Sequence, residues 1–328
     1  MQSRAAVLGA IGIALWKTAR RPSQYRGLIF FTVDSDKDRG KFLNLGVLFN
    51  TDRMGPTELC DYARNLEKMN FESLWLPELF TRDPFATAGF LLSETVSLKL
   101  ATGIANIYTR DAVAMISSAS SLQELSGGRF ILGIGVSNAT LNQGRGHQWQ
   151  KPLGKLSSYL TAMQEVKLTS PQLHAPIHVA AHGPKMLSIA ANQSDGANTY
   201  LMPLEHAASA REILGDKAEL NTMLFCLHEK DEDIARGIAR KAIAYYVGLD
   251  YYHRAWKQFG FTDSDFSNGG SDRLVDSVVA WGSADAIKKR VARQFDHGAS
   301  RVVVIPIGSK TKGHPDWELL GLLNEKHQ

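Results

Sequence analysis

Cysteine is scarce in this sequence, and that scarcity limits the kinds of protein it can encode. The 328 residues include two cysteines, Cys60 and Cys226, and each lies within an apolar or helical pattern. Two isolated cysteines exclude a disulfide-stabilised scaffold and form no zinc-binding spacing. They predict reduced, structural thiols in a cytoplasmic protein. His174, His178 and His182 recur every four residues, but they fall in a predicted strand, where this spacing separates them by roughly 13 Å. We therefore expect no metal site.

Runs of charge and long apolar runs are also missing. The formal net charge is +4, yet no cluster of Lys and Arg is dense enough for a nucleic-acid groove. The excess positive charge suits a small anionic ligand equally well. The apolar stretch Ala5 to Trp16 is shorter than the roughly 20 residues that span a membrane. We interpret residues 1–40 as an N-terminal extension outside the core, with a membrane anchor as the less favoured alternative, and residues 41–328 as one domain.

Several catalytic motifs are absent as well. The sequence has no Walker loop, no Gly-x-Ser-x-Gly elbow and no paired carboxylates at a useful spacing. The glycine-rich stretch GRFILGIGVSNATL lacks the third glycine of a dinucleotide fingerprint and has no helix directly after it. These absences argue against nucleotide hydrolysis, serine hydrolysis and a Rossmann-type cofactor site.

Eight short apolar runs are present, and most are followed by an amphipathic helical pattern. This alternation predicts parallel βαβ units, and eight of them favour an α/β fold of the (β/α)₈ TIM barrel type over a doubly wound sheet. About seventy residues separate the last two runs, and we predict a helical insertion there, at about 230–298, with residues 272–281 as one of its helices. The predicted strands are residues 43–49, 73–76, 98–104, 128–136, 176–181, 196–202, 221–227 and 300–308.

The site of such a barrel lies at the carboxyl ends of its strands. Neutral amides, hydroxyls and glycines predominate there, and they suit a flat polar heterocycle better than hydrolysis. Glu78 follows the second strand, where it is either a proton donor or the partner of Arg82 or Arg110 in a salt bridge. The predicted cofactor-binding residues at these ends are Phe49, Gly103, Ile104, Asn106, Gly135, Val136, Ser137, Ala181, His182 and Gly183.

A phosphate site is predicted where the fifth strand meets its helix. Gly183 lets the backbone approach a ligand closely, and Pro184 suits the first helical position. The N–H groups and dipole of the new helix favour an anion, and Lys185 adds a positive charge. A plain loop-to-helix start is the alternative. The glycine-rich turn at Gly135 offers a weaker second cradle.

Four stretches together resemble the bacterial-luciferase-like superfamily of flavin and deazaflavin oxidoreductases, and most closely its branch dependent on coenzyme F420. They are LATGIANIYTRD, SLQELSGGRFILGIGVS, AAHGPKMLSIAANQSDGA and HGASRVVVIPIG. The resemblance implies a barrel with an inserted helical segment, commonly a homodimer. It places the tricyclic ring at the strand ends and the phosphate on the loops after strands four and five. It also implies a cis peptide at Gly103-Ile104, which forms a bulge against the ring.

The function implied by this resemblance is hydride transfer between coenzyme F420 and an unknown small organic substrate. Glu78 and Asn106 are the catalytic candidates, although relatives often carry a histidine or aspartate where this chain has Glu78. The alternatives are an FMN-dependent monooxygenase that uses molecular oxygen, a non-catalytic flavin-binding protein and a barrel enzyme that acts on phosphorylated sugars. Tyrosines of the insertion either line a substrate cleft or pack its helices.

Overall fold

The computed structural model describes residues 44–169, 173–308 and 313–324. The predicted N-terminal extension, residues 1–40, lies outside these ranges.

Eight parallel strands close into a barrel in the order β1-β2-β3-β5-β6-β7-β8-β10, and β10 pairs with β1 to complete the ring. The closed ring confirms the predicted TIM barrel and is incompatible with an open, doubly wound sheet. Two short strands, β4 and β9, pair with the barrel without being part of the ring. The strands are β1 Leu45–Leu48, β2 Ser73–Leu76, β3 Lys99–Thr102, β4 Ala105–Asn106, β5 Phe130–Gly135, β6 Ile177–Ala180, β7 Gly196–Tyr200, β8 Glu219–His228, β9 Val279–Gly282 and β10 Arg301–Pro306.

Helices surround the ring and return the chain from one parallel strand to the next. Several begin where the sequence supplies a cap or a proline: Asp83 and Asp111 accept hydrogen bonds from the first turns of α2 and α3. The helices are α1 Pro56–Lys68, α2 Pro84–Glu94, α3 Ala112–Leu125, α4 Ala139–Gly144, α5 Pro152–Gln164, α6 Pro184–Gln193, α7 Leu204–Leu214, α8 Glu232–Val247, α9 Asp250–Lys257, α10 Asp272–Val278, α11 Ala284–Asp296 and α12 Trp317–Asn324, with a 3-10 segment at Asp263–Gly269.

The strands are buried on both faces because alternate residues enter two different apolar clusters. In β10, Val302 and Val304 pack outward against the helices, whereas Val303 and Ile305 point into the barrel. A parallel sheet that is covered in this way has nearly continuous apolar strands, which is why the sequence pattern showed them clearly.

The insertion between β8 and β10 contains α8 to α11 and one strand that the sequence did not predict. Residues 272–281 were expected to be helical, but α10 ends at Val278 and the chain continues as β9. This prediction was wrong because β8 extends beyond the residues that pair with β10, and the extension pairs with a second strand. β10 pairs with β8 as far as Cys226, and Phe225 to His228 pair with β9. β9 forms hydrogen bonds with the backbone N–H and C=O groups of β8 at the end that projects from the barrel.

Charged side chains close the amino end of the barrel. The Arg301 side chain is 5% exposed and donates to Glu72 at 2.6 Å, Glu219 at 2.9 Å and Asn221 at 2.6 Å. His178 is 1% exposed and belongs to the same hydrogen-bond network, because its Nδ1 lies 2.8 Å from the Asn221 amide nitrogen. A buried guanidinium is tolerated when it is paired in this manner. The amino end is therefore filled, and the carboxyl end remains for a ligand.

Both cysteines, Cys60 and Cys226, are free and buried, and burial raises the pKa of the Cys226 thiol to about 12. Among the helices that the structure describes, none has the length and apolar character needed to cross a bilayer.

Candidate functional site

The end of the third barrel strand forms a bulge at the barrel mouth. Ala101 of β3 pairs with Ile131 of β5, and Ala105 of β4 pairs with Ile134. Four residue steps on one strand therefore face three on the other, and the extra residue makes a bulge. The peptide bond Gly103-Ile104 within it is cis, which confirms what the family resemblance implied.

Two glycines of β5 make room for this bulge. A Cβ atom at Gly133 would lie 2.0 Å from the carbonyl oxygen of Thr102, so any side chain there would collide with the backbone. The Thr102 hydroxyl in turn donates to the Gly133 carbonyl at 2.6 Å. A Cβ atom at Gly135 would lie 3.2 Å from the Ile104 side chain. The sequence analysis did not identify Gly133 as a functional residue, although a glycine inside an apolar strand is typical of close backbone approach.

Small residues line the interior of the barrel mouth on the side of β3, β5 and β6. A Cβ atom at Gly135 would lie 3.0 Å from that of Ala180, and one at Gly103 would lie 3.0 Å from Leu48 and 3.3 Å from Trp75. Larger rings, including Tyr200 and Phe225, lie on the side of β7 and β8. The interior side chains at the mouth are therefore smaller along β5 and β6 than along β7 and β8.

Asn106, predicted to contact the cofactor, is 1% exposed. Both the nitrogen and the oxygen of its side-chain amide form hydrogen bonds within the protein. Nδ2 donates to Oδ1 of Asn142 at 2.8 Å, and Oδ1 accepts from the backbone of Tyr108 at 3.1 Å. The Asn142 amide then donates to the carbonyl oxygens of Val136 at 2.8 Å and Asn138 at 3.0 Å. Asn106 thus connects the bulge to the loop after β5. Sequence analysis overlooked Asn142 because its partners are distant in the chain or are backbone atoms.

Glu78, the other catalytic candidate, lies in the same network. Its side chain is 6% exposed and accepts from the Asn106 backbone at 2.8 Å and from Arg110 at 2.8 and 3.0 Å. Arg82 instead donates to the backbone of Met54. Of the two salt bridges considered from the sequence, the structure contains the one with Arg110. These contacts hold the loop after β2 against the bulge.

The two predicted phosphate cradles lie on the same rim of the barrel. β5 and β6 are parallel neighbours; Gly135 is the last residue of β5, and Gly183 follows the carboxyl end of β6. No side chain caps the start of α6, and a Cβ atom at Gly183 would meet nothing within 4 Å. Pro184 and Lys185 follow and are exposed, while Ser137 adopts a left-handed backbone with φ 57°. The open space and uncapped N–H groups fit a phosphate group.

Three predicted contact residues pack their side chains away from the mouth. The Phe49 ring packs against Tyr62 of α1, with ring centroids 5.5 Å apart, and Val136 and Ala181 pack in the apolar cluster beneath the helices. The alternation of side chains along a strand explains these directions. Leu48, beside the bulge, and Ala180, beside Gly135, take the interior positions instead.

His182 lies between the predicted phosphate cradle at Gly183 and the insertion. Its ring packs on Tyr252 at 5.0 Å and stacks on Tyr251 at 6.4 Å. Burial lowers the pKa of His182 to about 3, and His206 adds to this effect, so the imidazole is neutral at neutral pH. Within the described residues, no group of three or more His, Cys, Asp or Glu side chains is arranged to hold a metal ion.

The mouth therefore combines small interior residues beside a backbone bulge with an uncapped helix start on the same rim. This combination fits a tricyclic cofactor that carries a phosphate. The family model described as luciferase-like monooxygenase matches residues 28–301, and the chain belongs to this family of oxidoreductases and monooxygenases.

Among curated relatives, a 5,10-methylenetetrahydromethanopterin reductase of Methanolobus tindarius is 28% identical over 299 residues, which cover 76% of this chain and 91% of the relative. The fold is similar to that of coenzyme F420-dependent tetrahydromethanopterin reductase from Methanopyrus kandleri, with a TM-score of 0.66, 18% identity and coverage of 86% and 97% of the two chains. A type II Baeyer-Villiger monooxygenase of Pseudomonas putida in complex with FMN has a TM-score of 0.61 and 14% identity, with coverage of 86% and 97%.

Proposed function

We propose that this chain is an oxidoreductase that binds coenzyme F420 at the carboxyl end of its barrel and transfers hydride between it and a small organic substrate. The observation that carries the proposal is the position of the bulge at Gly103-Ile104, which shares one rim with the uncapped start of α6 at Gly183. The names of the Methanolobus and Methanopyrus proteins both support a reduction, and the name of the Methanopyrus protein supports dependence on coenzyme F420.

A bound deazaflavin would supply the hydride chemistry, and the protein would supply orientation and exclusion of water. The backbone of Gly103 and Ile104 would support one face of the ring. Main-chain N–H groups at Gly183 and the charge of Lys185 would bind the phosphate. Gly135 and Ser137 would border the same cradle from the neighbouring strand.

We propose that Glu78 and Asn106 act indirectly, by keeping the bulge in position. Their polar atoms are engaged by Arg110, Thr109, Tyr108 and Asn142. Both carboxylate oxygens of Glu78 accept hydrogen bonds from Arg110, so they are engaged in holding the loop after β2. The contacts therefore favour a positioning role for both residues.

FMN-dependent oxygenation is the second candidate, and the FMN complex of the Pseudomonas monooxygenase supports it. The same rim would bind either cofactor, since both combine a tricyclic ring with a phosphate.

Equilibrium titration of the purified apo protein with coenzyme F420 and, separately, with FMN tests the proposal. Cofactor fluorescence reports binding, and we expect a micromolar or tighter Kd for F420 and weaker binding of FMN. Tighter binding of FMN would favour the monooxygenase. Failure of both cofactors to bind at micromolar concentration would refute the redox function.

A further inference from the structure

A continuous row of aromatic rings crosses the barrel mouth opposite the bulge. The ring centroids are 5.0 Å apart for His182 and Tyr252, 5.5 Å for Tyr252 and Tyr246, 5.2 Å for Tyr246 and Tyr200, and 5.6 Å for Tyr200 and Phe225. We refer to these five residues as the aromatic wall. It runs from the proposed phosphate cradle to the barrel interior, and the insertion helices α8 and α9 contribute two of its members.

The wall faces the same interior as the small residues of β5. The Asn198 amide nitrogen lies 3.0 Å from the position of a Cβ atom at Gly133, so Asn198 points into the barrel. Tyr200 follows two residues later on the same strand and therefore points to the same side. Tyr200 and Tyr246 are both half-buried.

None of the five side chains carries a charge at neutral pH. Burial lowers the pKa of His182 to about 3. Burial also raises the pKa values of Tyr200, Tyr246 and Tyr252, which keeps all three as phenols. A charged ligand group placed against such a surface would lose its hydration without gaining an ion pair.

The wall nevertheless offers one specific polar feature. The hydroxyls of Tyr200 and Tyr246 lie 2.9 Å apart. One phenol proton forms this hydrogen bond, and the second proton has no acceptor among the residues that the structure describes. Hydroxyl pairs of this kind can donate to a carbonyl oxygen or an imine nitrogen of a ligand.

We infer that the aromatic wall is the substrate-binding face and that it selects an uncharged, flat molecule, which the Tyr200–Tyr246 hydroxyl pair orients by donating a hydrogen bond to a carbonyl or imine group. The inference rests on the proposed function, because the cofactor ring would occupy the opposite side of the mouth. The substrate would then lie between the ring and the wall.

Three probes of similar shape test this inference on the cofactor-loaded protein: acetophenone, the anionic 4-acetylbenzoate and ethylbenzene, which lacks the oxygen. Ligand-observed NMR titration gives each Kd. We expect acetophenone to bind about tenfold or more tightly than 4-acetylbenzoate, and more tightly than ethylbenzene. Infrared difference spectroscopy should show the carbonyl stretch of bound acetophenone at lower frequency than in an apolar solvent, as hydrogen bonding requires.

Single variants then identify the donor. Tyr200→Phe or Tyr246→Phe should weaken acetophenone binding about fivefold and return its carbonyl frequency toward the apolar value, while ethylbenzene binding stays unchanged. Tyr245→Phe is the matched control, since the Tyr245 side chain is 55% exposed and lies outside the wall. Absent binding of acetophenone, equal binding of 4-acetylbenzoate, or an unshifted carbonyl in the parent protein would overturn the inference. F420 and FMN titrations of the same preparations show separately whether the proposed function stands.

Discussion

The side-chain amide of Asn106 donates to that of Asn142 at 2.8 Å, and this contact joins the bulge at the barrel mouth to the loop after β5. Each residue is 1% exposed or less. Because the Asn142 amide also donates to the Val136 carbonyl, the bulge and the end of β5 are held together by buried hydrogen bonds.

Replacement of Asn142 should weaken this attachment. Asn142→Ala leaves the carbonyl oxygen of Val136 and the amide of Asn106 without partners, and each buried unpaired group costs about 1–3 kcal/mol. We expect the free energy of unfolding in urea to fall by about that amount. Asn192→Ala, on the exposed surface of α6, serves as a control and should change stability by less than about 0.5 kcal/mol. Equal effects of the two variants would contradict a structural role for Asn142.

Gly133→Ala should be strongly destabilising, because its Cβ would lie 2.0 Å from the Thr102 carbonyl oxygen. Overpacking of this kind costs typically about 1–3 kcal/mol, and a backbone neighbour cannot move aside as a flexible side chain can. Gly237→Ala is the matched control in α8, where a new Cβ meets nothing within 4 Å. It should stabilise the protein by about 0.5–1 kcal/mol, because alanine favours the helix. Thermal unfolding of the pair measures both effects, and a tolerated Gly133→Ala would argue against the close approach at the bulge.

Gly183→Asp should weaken cofactor binding without loss of the fold. Its side chain enters open space, and aspartate is a favoured residue at the start of a helix. The added negative charge would face the proposed phosphate, and we expect the Kd to rise about tenfold or more, which is about 1.4 kcal/mol. Gly183→Asn is neutral and similar in size, so it should bind more tightly than the aspartate variant. If both variants bind like the parent protein, the phosphate lies elsewhere.

Stability should decrease as the pH falls below neutrality. Burial lowers the pKa of His178 from 6.5 to about 4, so between these values the unfolded chain binds a proton that the folded protein does not. Unfolding is therefore favoured as the pH drops through this window, by up to about 1.4 kcal/mol per pH unit. Urea unfolding at pH 7 and pH 4.5 should show a smaller difference for His178→Gln than for the parent protein.

The fold followed from the sequence because buried parallel strands produce short apolar runs at regular intervals. The second strand agrees with its predicted bounds to the residue. β9 could not be found in this way, since its four residues continue the apolar pattern of α10 and depend on the distant backbone of β8.

The candidate site was predictable in position but not in its contacts. Glycines at the ends of strands three, four and five were predicted to share one rim, and the structure brings them to the same rim. The direction of the Phe49 and Ala181 side chains depends on where each strand begins, and a shift of one residue reverses it. The Asn106–Asn142 pair joins residues 36 apart, so no local pattern contains it.

A crystal structure of the protein with coenzyme F420 would test the proposed cofactor site most directly. We predict the deazaflavin ring against the backbone of Gly103 and Ile104, its phosphate at the start of α6 beside Gly183, and its free face toward Tyr200. A ring bound elsewhere, such as in the groove of about 390 Å³ between α1 and Trp317, would contradict the proposed site.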